Sequence, residues 1–168
     1  SPGGLSGRQR VSMLQHRAGM SASEYTVIAS GHAGFERKET LAAELKSLGY
    51  AGQDLGPSTD ASIDYADYAH PLAKRVSDGE NRRGVLLCGT GLGMSYTANR
   101  YPHVLASVAW APEIAALARE PNAANLLVLP ARFVWADDGR AILRACTDAP
   151  FAWGAPARRV AAMSVGHR

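Results

Sequence analysis

Short apolar runs alternate with longer amphipathic segments along this chain, and polar, glycine-rich turns separate them. Gly84-Val-Leu-Leu87 is an uninterrupted apolar run, the pattern of a buried strand. Tyr25–Ala29, Tyr50–Leu55, Val104–Ala109 and Leu126–Leu129 read as four further strands. Phe35–Leu48 predicts a helix with Leu41, Leu45 and Leu48 on one face and Gly49 as its C-cap. Residues 64–76, Pro112–Arg119 and Asp137–Cys146 predict three more helices, with Pro112 near a first turn, where proline is tolerated. Ser95 to Arg100 reads as a helix start, and Ala157–Met163 as a short closing helix. Repeated strand–helix alternation implies right-handed β-α-β units. The expected fold is therefore α/β, a Rossmann-like three-layer sandwich with a five-stranded parallel sheet.

Residues 1–23 break this pattern. They are rich in Ser, Gly and Arg, show no periodicity, and lack the apolar stretch of a signal peptide. They read as a flexible leader, and 24–168 as one domain with a C-terminal tail helix. The net charge of +3 belongs to that leader, because without Arg8, Arg10 and Arg17 the chain carries 15 basic and 15 acidic residues. A neutral body argues against a nucleic-acid face. No apolar run approaches a membrane span. The 2 cysteines, Cys88 and Cys146, make no disulfide framework, which points to a reducing cytoplasm.

The candidate chemistry gathers at Cys88-Gly-Thr-Gly-Leu-Gly-Met-Ser95. Strand, glycine turn and helix together present backbone N–H groups to an anion. Gly89, Gly91 and Gly93 let the backbone turn sharply and approach a ligand. The spacing is neither the G-x-G-x-x-G of dinucleotide sites nor a P-loop, since no Gly-Lys-Ser/Thr follows. Alone, Cys88 reads equally as a buried structural thiol; the glycines after it move the reading toward function. A second small-residue turn, Ser30-Gly-His-Ala-Gly34, follows the first strand. In a doubly wound sheet the ends carrying His32 and Cys88 are neighbours at the switch point. A His beside a Cys suits acid–base or nucleophilic chemistry, although His32 by itself also reads as a surface-loop histidine.

These segments resemble ribose-5-phosphate isomerase type B and the related galactose-6-phosphate isomerase subunits. The resemblance is carried by Ser30–Gly34, Asp64-Tyr65, Cys88–Ser95, Ala98-Asn-Arg100, Ala118-Arg-Glu120 with Asn122 and Asn125, and Ala131-Arg132. It covers about residues 25–160 and implies a dimer with the active site between subunits. It also implies interconversion of aldose and ketose phosphates through an enediolate, with no metal or other cofactor. The family's base is a thiolate at the position of Cys88. Oxyanion donors would be the N–H groups of Gly89 to Gly93 and the Thr90 hydroxyl, with Asn99 donating from the start of the following helix. The resemblance places Tyr65, Ser95 and Asn122 at the substrate, and Arg132 with Arg158 or Arg159 at its phosphate.

The chain departs from that pattern where ring opening and phosphate binding are handled. The family's Ser-Asp-His has Gly31 in place of Asp. Its Arg-Glu-His-Asn is Arg119-Glu120-Pro121-Asn122, and proline has no side-chain proton donor. Its tail Arg and His are Ala155 and Pro156, and the Arg after its Pro-Gly-Ile turn is Leu105. Three readings follow: an isomerase for a different or open-chain sugar phosphate, the Cys-bearing subunit of a hetero-oligomer, or a non-catalytic sugar-phosphate-binding protein. Trp110 and Trp153 stand near the altered positions and either reshape the pocket or simply pack.

Overall fold

The apolar runs become parallel strands of one sheet. The computed structural model describes residues 27–31, 35–48, 53–56, 64, 66–119, 123–148 and 161–163. Its strands are β1 (Val27–Ser30), β2 (Gln53–Asp54), β3 (Gly84–Cys88), β4 (Ala106–Val108) and β5 (Leu126–Pro130). Its helices are α1 (Phe35–Ser47), α2 (Ala66–Ser77), α3 (Leu92–Ala98), α4 (Pro112–Arg119) and α5 (Ala136–Asp148). The sheet has five strands in the order β2-β1-β3-β5-β4, and every pair is parallel. This is the Rossmann-like α/β sandwich expected.

β3 and β5 are central, and their continuous apolar sequences follow from cover on both faces. Alternation along β3 sends Val85 and Leu87 into one core with Ile28, Leu41, Ile142 and Cys146. Leu86 enters the opposite core with Ala29, Leu72, Val76 and Met94. Helices α1 and α5 thus cover one face, α2 and α3 the other. Of the α1 face expected from Leu41, Leu45 and Leu48, Leu41 is buried in the core and Leu48 packs against it; the Leu45 side chain lies outside the described residues. Fully buried Lys38 ties α1 to β2 through Asp54 at 2.7 Å.

Two boundaries differ from expectation for physical reasons. The fourth strand pairs only over Ala106–Val108 rather than 104–109. Just before it, the Leu105 N–H donates to the Asn125 side chain at 2.8 Å instead of to a neighbouring strand. The helix after β3 begins at Leu92, not Ser95, because the left-handed turn at Gly91 (φ 79°) starts it inside the glycine run. The leader 1–23, the cap at Gly49 and the segment 149–160 lie outside the described residues. Residues 161–163, the end of the expected closing helix, are helical. Among the described residues no helix is long and apolar enough to cross a membrane.

Candidate active site

Strand order reverses between β1 and β3, since the chain goes outward to β2 and returns on the other side of β1. Open α/β sheets hold ligands at the carboxyl ends of such strands. β3 delivers Cys88 there, a free and partly buried cysteine packed against the α2–α3 core. β1 delivers Ser30 and Gly31, and the Gly31 N–H donates to the Leu87 carbonyl at 2.9 Å. Gly31 therefore leaves the sheet beside the end of β3 that carries Cys88. His32 itself lies outside the described residues, as do Tyr65, Asn122 and Arg159, and the altered positions Pro121, Ala155 and Pro156.

The loop after Cys88 is shaped by its glycines. Gly91 is buried in the left-handed conformation, and a Cβ there would stand 3.2 Å from Val108 and 3.4 Å from Val128. Gly91→Ala is expected to cost about 1–3 kcal/mol through backbone strain, read as a lower urea midpoint; an unchanged midpoint would contradict this turn. Thr90 is exposed, and its hydroxyl oxygen accepts the Leu92 N–H at 3.3 Å, leaving its own proton to donate elsewhere. Gly93 lies in the first turn of α3.

Arg132 is brought to this loop. A Cβ on Gly89 would meet the Arg132 Nε at 2.9 Å, so the guanidinium side chain lies directly on the bare glycine backbone. Two backbone bonds hold the segments together: Ala131 N–H to Cys88 carbonyl at 2.7 Å, and Arg132 N–H to Gly89 carbonyl at 3.0 Å. A candidate base and a candidate anion ligand thus share one small surface.

Ser95 and Asn99 are used differently. Ser95 is buried in α3, and its hydroxyl donates to the Leu92 carbonyl at 2.8 Å. Asn99 was expected at the start of a helix; it is instead the C-cap of α3, roughly 10 Å along the axis from Leu92 at 1.5 Å per residue. Its amide donates to the Ala106 carbonyl at 2.9 Å and accepts the Ala106 N–H at 2.8 Å, clipping β4 to α3. The early helix start accounts for the difference.

Sequence reasoning passed over the residues around Arg132. Phe133 and Trp135 are 71% and 73% exposed. Arg37, in the first turn of α1, donates from Nε to the Val134 carbonyl and holds its guanidinium 5.4 Å from the Trp135 ring centre. The only local signal was a pair of aromatics, Phe133 and Trp135, just after Arg132.

A family profile described as Ribose/Galactose Isomerase matches residues 26–163. A ribose 5-phosphate isomerase from Thermotoga maritima has 41% identity and a TM-score of 0.78, covering 81% of this chain and 94% of its own. The Mycoplasma genitalium ribose-5-phosphate isomerase B, solved with bound ribulose-5-phosphate, has 36% identity and a TM-score of 0.78, covering 82% and 91%. The D-erythrulose-4-phosphate isomerase of Pectobacterium atrosepticum is 33% identical over 79% of this chain and 88% of its own length.

Proposed function

Because this chain belongs to the ribose/galactose isomerase family, a family of aldose–ketose isomerases of sugar phosphates, we propose that Cys88 is its carbon base and that it prefers substrates needing no ring opening. The thiolate of Cys88 takes the proton from C2 of the open-chain aldose phosphate. The C2–H electron pair becomes the C1–C2 double bond of an enediolate, and the carbonyl pair moves onto O1. Returning the proton to C1, with proton transfer between the two oxygens, gives the ketose. Backbone N–H groups of Gly89 to Gly93 and the Thr90 proton stabilise the oxyanion in transit. Arg132 holds the phosphate by charge-assisted hydrogen bonds.

The observation that carries this reading is the contact of Arg132 with Gly89, one residue from Cys88. The preference is supported by Pro121, Ala155 and Pro156, which lack the proton donor and charges of the family pattern, and by the tetrulose phosphate named for the Pectobacterium relative. His32, Tyr65, Asn122 and Arg159 complete the site in this reading, Arg159 from a second subunit of a dimer. The protein works in a reducing cytoplasm with both cysteines as thiols. The same losses favour, as a second reading, a hetero-oligomer whose partner supplies the missing His and Arg.

The test is NMR of the purified protein with a panel of aldose and ketose phosphates in deuterated water. Deuterium entering C1 or C2 is the expected result. No exchange with any member would overturn catalysis by this chain alone.

A further inference from the structure

The geometry points to Arg37 as a positioning residue that, with Trp135, holds the Arg132 loop at the height the substrate phosphate requires. This rests on the reading of Arg132 as the phosphate ligand. Residues 131–135 join β5 to α5. On one side the loop is sewn to Cys88 and Gly89 by the two backbone bonds already described. On the other side Arg37 reaches it from α1, donating to the Val134 carbonyl and lying over the Trp135 ring.

Both partners suit a tether rather than core packing. Trp135 is 73% exposed, so its ring is held at the surface where apolar burial does not explain it. A guanidinium within about 6 Å of an indole face is attracted by the ring quadrupole. Arg also offers a planar Nε–H in fixed geometry beside that stacking face. Beneath the pair lies a small apolar recess lined by Arg37, Leu41, Leu87, Leu129, Val134 and Trp135 among others. Arg37 is also two residues into α1, the helix that follows β1 in the chain. It therefore links the loop bearing Arg132 to the start of α1, which is far from it in sequence.

The test measures the affinity of the full-length protein for inorganic phosphate by NMR titration. KM and kcat are measured beside it, with ribose 5-phosphate or erythrose 4-phosphate, whichever turns over faster. Arg132→Ala should weaken phosphate binding about tenfold or more. Arg37→Ala and Trp135→Ala should each weaken it by roughly two- to fivefold, raising KM by the same factor with kcat within about twofold. Trp135→Phe, which keeps a ring, should recover most of the loss. In the Arg132→Ala background, Arg37→Ala should have no further effect on phosphate, since it acts only through Arg132. An equal effect in both backgrounds would mean that Arg37 touches the anion itself or supports the fold generally, and would overturn the inference. Wild-type affinity in both Arg37→Ala and Trp135→Ala, with Arg132→Ala impaired, would overturn it alone. Wild-type affinity in Arg132→Ala would remove the phosphate-ligand reading and this inference with it. Because Trp135 is exposed, its variants fold even if Arg37→Ala does not.

Discussion

Cys88→Ala is expected to abolish hydrogen exchange at C1 and C2 while leaving the fold intact. Removing a positioned carbon base costs on the order of 10²–10⁴-fold or more. The side chain is partly buried, and only one heavy atom is lost, so the stability cost is about 1 kcal/mol. Cys146→Ala provides the matched control. That thiol is buried in the α5 side of the core, on the sheet face opposite to the one against which Cys88 packs. Its loss should also cost about 1 kcal/mol while exchange proceeds at the wild-type rate. The two variants thus separate chemistry from packing. If Cys88→Ala exchanges as fast as wild type, the proton is moved by another group.

Erythrose 4-phosphate is expected to be turned over with a higher kcat/KM than ribose 5-phosphate. In ribose 5-phosphate the C4 hydroxyl closes a furanose ring, which must open before the carbonyl exists. In erythrose 4-phosphate the C4 oxygen carries the phosphate, so no such ring forms. A general acid–base group for ring opening typically contributes about 10²–10⁴-fold, and Pro121 has no proton to give. Ala155 and Pro156 further lack charge-assisted phosphate contacts, each worth about 1.5–3 kcal/mol. Steady-state kinetics on both sugars decide the matter. Efficient turnover of ribose 5-phosphate by this chain alone would remove both the altered preference and the hetero-oligomeric alternative.

The parts of this molecule that could be read from sequence are those written in local pattern. Leu86, Leu87 and Val128 announce buried central strands because cover on both faces leaves no polar position. The glycines after Cys88 announce a tight loop because only glycine tolerates the turn at Gly91 and the contact of Arg132 with Gly89. The α3 start was misplaced because glycine is a poor helix former, yet Gly93 lies in the first turn once Gly91 has turned the chain. Asn99 accordingly falls at the end of that helix rather than at its start. The pairing of Arg37 with the Val134 carbonyl and Trp135 joins positions about a hundred residues apart, and no local period reports on such a contact.

The place of β4 at the sheet edge has a consequence for synthesis. Chains fold from the N-terminus as they emerge, and β3 finds β1 already made. β4 emerges next, but it pairs only with β5, which is still inside the ribosome. For that interval it is an edge without a sheet, the state in which strands most readily join the wrong chain. The two hydrogen bonds from Asn99 to Ala106 occupy one of its backbone N–H groups and one carbonyl, and hold it against a helix already formed. Asn99 is thus expected to park a waiting strand until its neighbour arrives.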